Sequence, residues 1–165
     1  NEGEVVELVK FARQREIDIA FIEEMPLGLI DDHDRVLTFC SSDELQDIIA
    51  ASFPLHPEGD PQGFSGPARF YSMTDSASRV GFISPHSNNF CHLCNRVRVT
   101  VEGRLLLCLG NEHSIDLREI LRGDDYSLEK LKWAIVNAMD IKPERHYFDN
   151  SEAPQIVRFM NMTGG

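Results

Sequence analysis

The chain opens with apolar residues at a helix-like spacing. A strand-like run of apolar residues follows. Residues 4–14 repeat apolar side chains three and four positions apart, which predicts an amphipathic helix. Residues 17–22 are almost continuously β-branched or aromatic, as in a parallel strand buried on both faces, and Pro26 and Gly28 end the run. A helix followed by a buried strand is the repeat unit of an α/β barrel or a doubly wound sheet, and the sequence contains one such unit.

A second helix and then a break follow. Ser41 and Glu44 form a capping box, which predicts a helix over residues 44–53. Residues 54–66 hold three prolines and three glycines, which disfavour regular structure and mark a domain boundary or a functional loop. The predicted organisation is therefore three segments, residues 1–53, 54–66 and 67–165.

The last segment mixes short strands with helices. We expect strands over residues 68–73 and 79–84, a hairpin over residues 96–109 with a two-residue loop at 102–103, and helices over residues 114–123 and 127–139. Gly123 stands where a C′ glycine would end the first of these helices. The fold class that follows is α/β to α+β.

The charge balance excludes several classes of function. The chain has 16 Lys and Arg against 27 Asp and Glu, a net charge of −11. We therefore expect no nucleic-acid partner and no anionic membrane surface as partner. No apolar run approaches the roughly 20 residues that a bilayer requires, and no basic leader is present. We expect a soluble cytoplasmic protein, and a homodimer is possible. Any anionic ligand must be bound by a few local cations.

Three of the four cysteines are grouped, and Cys40 stands apart as a predicted buried loop thiol. Cys91, Cys94 and Cys108 follow the spacing C-x2-C-x13-C, and the hairpin brings the third back towards the first two. In the expected register Cys108 faces Val97, about 10 Å along the strand from Cys94. Buried structural thiols are the alternative, but this arrangement favours a metal centre.

Two kinds of metal centre remain open from the residues alone. A zinc site requires four ligands, and a histidine could complete a Cys3His set in a binding module without catalytic activity. An iron–sulfur cluster usually has four cysteines, so three would leave one iron open to a substrate. The histidines that could complete a zinc site are His86, His92 and His113.

Two arginines follow the second cysteine directly. Arg96 and Arg98 are two positions apart on a predicted strand and therefore project from the same face. A solvated strand face is the ordinary explanation for such a pair. Beside a thiolate-bound centre in an acidic protein, however, two guanidinium groups are suited to bind phosphate or the acceptor edge of a purine. We therefore favour contact with a ligand.

The residues around this site resemble a known family. The segment from Gly81 to Leu109, GFISPHSNNFCHLCNRVRVTVEGRLLLCL, resembles the C-terminal cluster segment of the molybdenum cofactor biosynthesis protein A family. Its members are the GTP 3′,8-cyclases of the radical S-adenosylmethionine superfamily. Upstream, FIEEMPLG is similar to the last barrel strand of that family, and the closing Gly164 and Gly165 resemble its C-terminal double glycine.

The resemblance implies an enzyme with two iron–sulfur clusters. One [4Fe-4S] cluster cuts S-adenosylmethionine reductively, and the resulting radical joins C3′ of GTP to C8 of its guanine. A second [4Fe-4S] cluster, held by three cysteines, binds the guanine through its open iron. By position the resemblance implies that Cys91, Cys94 and Cys108 ligate this second cluster. It also implies that GTP contacts Arg96, Val97 and Arg98, that S-adenosylmethionine contacts Met25, and that Gly164 and Gly165 enter the active site.

One departure from the family pattern limits what this chain can do. The family's N-terminal C-x3-C-x2-C motif is absent, as are all barrel strands but the last. The resemblance therefore implies the C-terminal half of such an enzyme. Residues 1–53 would be the last helix–strand unit of an incomplete (β/α) barrel with the helix after it, residues 54–66 a linker, and residues 67–165 a C-terminal α+β iron–sulfur domain. We expect no cleavage of S-adenosylmethionine by this chain alone and no catalytic residue within it.

Overall fold

The computed structural model describes residues 2–28, 33–59, 66–146, 148 and 162. Its contacts divide the chain into two units, each of which takes residues from two stretches of sequence. The first unit comprises Asn1–Glu24 and Leu37–Phe90, and the second comprises Met25–Val36 and Cys91–Gly165. These units are defined by contacts and do not test the predicted division into residues 1–53, 54–66 and 67–165. That division stays a prediction. Sheets and helices occur together in the structure, as in an α+β domain.

The first unit contains a mixed sheet. Its strands lie in the order β1-β4-β3-β2, with β1 parallel to β4 and the other neighbours antiparallel. The expected parallel strand is therefore confirmed. The elements are the helices α1 (Val5–Arg15) and α3 (Ser42–Ala50) and the strands β1 (Ile19–Ile22), β2 (Leu55–Pro57), β3 (Arg69–Met73) and β4 (Arg79–Ile83).

Strand β1 differs from expectation in its burial. Its side chains alternate between half-buried and exposed, and Ile22 is 55% exposed. Within the described part of the chain nothing covers the face of β1 that carries Ala20 and Ile22, since both side chains are exposed. The prediction of burial on both faces was wrong for this reason.

The core of the first unit lies between the sheet and its two long helices. Val9 on α1, Ile49 on α3, and Val80 and Phe82 on β4 are almost completely buried together. The predicted capping box is confirmed at the start of α3, because the Ser41 hydroxyl accepts from the Glu44 amide at 3.2 Å and the Glu44 carboxylate accepts from the Ser41 amide at 2.8 Å. This cap satisfies two backbone donors that a helix end leaves unpaired.

Two short elements before residue 60 were not predicted. Helix α2 spans Arg35–Thr38, and β2 spans Leu55–Pro57 at the start of the proline-rich segment. Strand β2 lies at the edge of the sheet, where a proline that lacks an amide donor is tolerated. The prolines therefore did not prevent regular structure here.

The second unit contains a small antiparallel sheet and two helices. Its strands lie in the order β5-β6-β7, and its core joins Leu105, Leu107, Leu117 and Ala138. Among the described residues no helix is long and apolar enough to cross a membrane. The elements are β5 (Arg98–Val99), β6 (Arg104–Leu106), β7 (Ser114–Asp116), α4 (Leu117–Arg122) and α5 (Leu128–Ala138).

The hairpin between β5 and β6 forms in a register one residue away from the expected one. Arg98 pairs with Leu106, and the Thr100 amide donates to the Arg104 carbonyl at 2.9 Å. Three residues therefore close the loop, and the last of them, Gly103, has φ +82°. A type I turn followed by a left-handed residue is the usual three-residue loop. The expected pairing of Cys108 with Val97 is therefore wrong, because the register has shifted and the ladder ends at Arg98 and Leu106.

The predicted helix over residues 114–123 is shorter than expected. Ser114–Asp116 form strand β7, and the helix begins only after Asp116, whose carboxylate accepts from the Glu119 amide at 2.9 Å. Gly123 does follow the helix directly, but its backbone is extended and not left-handed. Helix α5 lies where it was predicted, with the Ser127 hydroxyl as its N-cap.

Candidate metal and nucleotide site

A tight turn carries the first two predicted ligands. Cys91–Leu93 form one turn of 3₁₀ helix, and the Cys94 amide donates to the Cys91 carbonyl at 3.0 Å. Both thiols are half-buried. A C-x2-C turn of this kind sets two sulfur atoms on one side of the backbone, which suits a shared metal centre.

The third cysteine lies within electrostatic range of the other two. Burial is the main reason why the pKa of the Cys108 thiol lies above its ordinary value, and the Cys91 and Cys94 thiols raise that pKa further. These interactions agree with a hairpin that returns Cys108 towards Cys91 and Cys94. Among the residues that the structure describes, no three Cys, His, Asp or Glu side chains already form a group that could hold a metal ion. The role of these cysteines as ligands stays a prediction.

Two groups beside Cys108 were missed in the sequence. The Gly110 amide donates to the Cys108 sulfur, and the Lys142 ammonium group is close enough to act on it; both lower the pKa of that thiol. The Lys142 Nζ also donates to the Leu107 carbonyl at 2.9 Å. Neither residue stands in a motif, so only the fold could indicate them. Both favour negative charge on the third sulfur.

The residues after Cys94 alternate in burial. Cys94, Arg96 and Arg98 are half-buried, whereas Asn95, Val97 and Val99 between them are exposed. Of these residues only Arg98 and Val99 belong to a strand. The alternation agrees with a common face for Arg96 and Arg98, which stays a prediction from their spacing. Val97 is 39% exposed.

The three histidines considered as zinc ligands differ in their surroundings. The His86 ring Nε2 lies 3.0 Å from the Glu24 carbonyl oxygen. His92, within the 3₁₀ turn, and His113, just before β7, are both exposed. Within the described part of the chain none of the three belongs to a ready-made metal group.

The remaining predicted residues lie in other parts of the chain. Met25 follows β1 and is half-buried, and its carbonyl accepts from the Leu27 amide at 2.8 Å. The Arg35 guanidinium donates to the Leu27 and Gly28 carbonyls, both at 3.1 Å, and so holds this turn. Gly164 and Gly165 lie outside the described residues.

Cys40 has surroundings that differ from those of the grouped cysteines. It is half-buried just before α3 and packs against the core of the first unit. Burial and the nearby Glu44 carboxylate raise the pKa of its thiol. A neutral thiol in such a place acts as a small apolar side chain, which agrees with the predicted loop thiol.

Comparison with known proteins gives a consistent result. The family model described as Molybdenum Cofactor Synthesis C matches residues 17–148. Curated relatives called GTP 3′,8-cyclase are 61% identical in Marinobacter nauticus and 55% identical in Saccharophagus degradans, and one called GTP 3′,8-cyclase 2 is 54% identical in Pseudomonas aeruginosa. Each match covers all of this chain and 49% of the relative, so the chain spans about half the length of the curated relatives it matches. This chain belongs to the Molybdenum Cofactor Synthesis C family.

Proposed function

We propose that this chain is the part of a GTP 3′,8-cyclase that holds the second iron–sulfur cluster and GTP. The whole enzyme would convert GTP to (8S)-3′,8-cyclo-7,8-dihydroguanosine 5′-triphosphate in molybdenum cofactor biosynthesis. The relatives that cover the chain carry the name of that activity. The observation that carries the proposal is that the match to these relatives extends over all of this chain, Cys91, Cys94 and Cys108 included.

The donor set fits a [4Fe-4S] cluster in its chemistry. Thiolates are the usual ligands of such clusters, and the spacing C-x2-C with a third cysteine after the hairpin supplies three of them. Burial raises the pKa of the Cys108 thiol, and the Gly110 amide and the Lys142 ammonium group lower that pKa and so offset part of the cost of the thiolate form, which ligation requires. When bound, the cluster supplies an open iron for the guanine of GTP.

The arginines supply the positive charge that a triphosphate requires. The net charge of −11 disfavours a nucleotide triphosphate over most of the surface, so binding depends on local cations. Arg96 and Arg98 are half-buried like Cys94, and the planar guanidinium group can donate two parallel hydrogen bonds to phosphate or to guanine. Val97 between them would lie against GTP through its backbone or its methyl groups.

Other steps of the reaction depend on residues beyond this set. Met25 would contact S-adenosylmethionine, and Gly164 and Gly165 would approach the reacting groups closely because they lack a Cβ atom. The three-cysteine motif C-x3-C-x2-C is absent from these 165 residues. We therefore propose that this chain alone does not cleave S-adenosylmethionine. Release of 5′-deoxyadenosine from S-adenosylmethionine by this chain under reducing conditions would refute that part of the proposal.

A GTP titration of the reconstituted chain tests the proposal. Iron and sulfide are added anaerobically, and GTP is then titrated while the electronic and paramagnetic spectra of the cluster are recorded. We expect a saturable change that Arg96→Ala and Arg98→Ala each weaken at least about tenfold, since a hydrogen bond to a charged group contributes about 1.5–3 kcal/mol. The matched control is Arg122→Ala, because Arg122 is an exposed arginine on α4 of the same unit.

Two outcomes would contradict the proposal. A colourless protein with one zinc and no sulfide would indicate a zinc-stabilised binding module. A loss of the GTP response in Arg122→Ala equal to that in the other two variants would indicate general charge attraction instead of a site.

A further inference from the structure

A buried carboxylate with only uncharged partners follows strand β1. Glu23 is 1% exposed, and its oxygens accept from the backbone amides of Ser42, His86 and Ser87 at 2.9, 2.8 and 3.1 Å and from the Ser87 hydroxyl. Burial alone would raise the pKa of Glu23, but these hydrogen bonds outweigh it and the pKa lies below its ordinary value. The side chain is therefore an anion held by amide and hydroxyl dipoles.

The partners of Glu23 lie where the chain leaves or enters the first unit. Glu23 itself stands next to Glu24, the last residue of the first stretch of that unit. Ser42 opens α3, a few residues after the chain returns at Leu37, and Ser87 precedes the exit at Phe90. Glu23 and its partners therefore lie within a few residues of all three points at which the chain passes from one unit to the other.

A second layer of hydrogen bonds supports the same arrangement. The Ser84 hydroxyl donates to the Ser42 hydroxyl at 2.7 Å, and both serines are almost completely buried. The Glu23 amide donates to the Ile83 carbonyl at 3.0 Å. A buried polar network in which the donors find acceptors specifies one backbone arrangement, and the loss of its central acceptor leaves several donors unpaired.

We propose that Glu23 is a positioning residue for the cluster and nucleotide site, a role that rests on the proposed function above. Through the amides of His86 and Ser87 it fixes the start of the segment that leads to Cys91. Because the Glu23 side chain is held in the network, the backbone at Glu23 is held too, and with it the start of the turn that begins at Met25. It contacts no substrate and acts only through the backbone of these two segments.

The substitution Glu23→Gln is a sharp test because it changes one oxygen into a donor. The amide group of Gln meets either the amides of His86 and Ser87 or the amide of Ser42, so in both orientations at least one backbone donor loses its acceptor. Glu23→Asp retains the charge and the acceptors on a shorter stem. The control for a general loss of stability is Val9→Ala, since Val9 is fully buried in the core of the same unit and lies outside this network.

Two measurements are made on the full 165-residue chain. Amide hydrogen exchange is followed without iron, and the GTP response is followed after anaerobic reconstitution. In Glu23→Gln we expect exchange to rise at least about tenfold at Ser42, His86 or Ser87 and to rise onward to Phe90, and we expect GTP to bind at least about tenfold more weakly. Glu23→Asp should recover part of both losses. Val9→Ala should bind GTP like the parent protein within about twofold.

The outcomes separate this role from a merely structural one. If Glu23→Gln and Val9→Ala weaken the GTP response equally for equal losses of stability, Glu23 only stabilises the fold and the inference is wrong. If the parent protein shows no GTP response at all, the proposed function fails. The exchange data then decide alone whether Glu23 holds the segment that leads to Cys91. Unchanged exchange from Asn88 to Phe90 in Glu23→Gln overturns the positioning role in either case.

Discussion

The Gly110 amide donates a hydrogen bond to the sulfur of Cys108, and Gly110 itself packs so tightly against Phe148 and His146 that no side chain fits there. A Cβ atom at this position would stand 2.6 Å from the Phe148 ring and 2.7 Å from the His146 Cβ. Such contacts are shorter than carbon atoms tolerate. The backbone beside the third sulfur is therefore held by packing against residues more than 30 positions later in the sequence.

Gly110→Ala should destabilise the second unit. The added methyl group must displace Phe148 or His146, and overpacking of this kind costs about 1–3 kcal/mol. Urea unfolding of the apo chain measures the loss in free energy of unfolding. Gly59→Ala is the control, because a Cβ at Gly59 meets nothing within 4 Å, and it should change stability by less than about 0.5 kcal/mol. Equal stability of the two variants would show that the close packing at Gly110 does not occur in solution.

The four cysteines should divide into two classes after reconstitution. Cys91→Ser, Cys94→Ser and Cys108→Ser should each lose most of the bound iron and sulfide, because each removes a thiolate from a set of three. Cys40→Ser should keep the iron content of the parent protein, because Cys40 packs in the core of the first unit. Anaerobic iron analysis of the four purified variants makes the comparison. Loss of iron in Cys40→Ser but not in Cys108→Ser would contradict the assigned ligands.

The ion pair between Asp18 and Arg79 predicts a pH dependence of stability. Hydrogen bonds from Arg79, at 2.6 Å and 3.0 Å from its side chain, lower the pKa of Asp18 in the folded protein. A lowered folded pKa means that this stabilisation is fully present above the unfolded pKa of about 3.9 and is lost as the pH falls through the folded pKa. Both side chains are partly exposed, so salt should weaken the effect.

Asp18→Asn measures that contribution. The variant should be less stable than the parent protein near neutral pH and equally stable once the pH is below the lowered pKa of Asp18, as followed by urea midpoints. Asp47→Asn, an exposed position on α3, is the control and should show no such convergence. A difference between Asp18→Asn and the parent that grows on acidification would have the wrong sign for this ion pair.

Removing the N-cap of α3 should cost a measurable amount of stability. Ser41→Ala deletes the hydroxyl that accepts from the Glu44 amide, and loss of such a cap costs about 1 kcal/mol. Ser52→Ala, just beyond the other end of the same helix, removes an exposed hydroxyl and should be nearly neutral. Chemical denaturation of both variants compares the two ends directly, and a larger loss in Ser52→Ala would speak against the capping box.

Local signals in the sequence were sufficient for most elements of the fold. Apolar spacing predicted α1 and α5, and the pair Ser41 and Glu44 predicted the start of α3, because each depends on side chains within one or two helical turns. The strand at Ser114–Asp116 was missed because its apolar spacing continues into α4. Only pairing with β6, a tertiary contact, decides between strand and helix there.

In the candidate site, too, local sequence signals do not reveal tertiary contacts. The spacing C-x2-C and the hairpin predict that Cys108 returns to the other two cysteines, and the hairpin itself forms between β5 and β6. The register was one residue off, because Glu102 and Gly103 suit either a two-residue loop or the last two positions of a three-residue loop. Glu23 could not be found from sequence, since its main partners are backbone amides, which every residue except proline has.

The count of iron, sulfide and zinc in the anaerobically reconstituted chain tests the central claim most directly. Three thiols gathered by a turn and a hairpin predict about four iron and four sulfide ions per chain and no zinc. One zinc ion per chain without sulfide, in protein that is folded and colourless, would contradict the account.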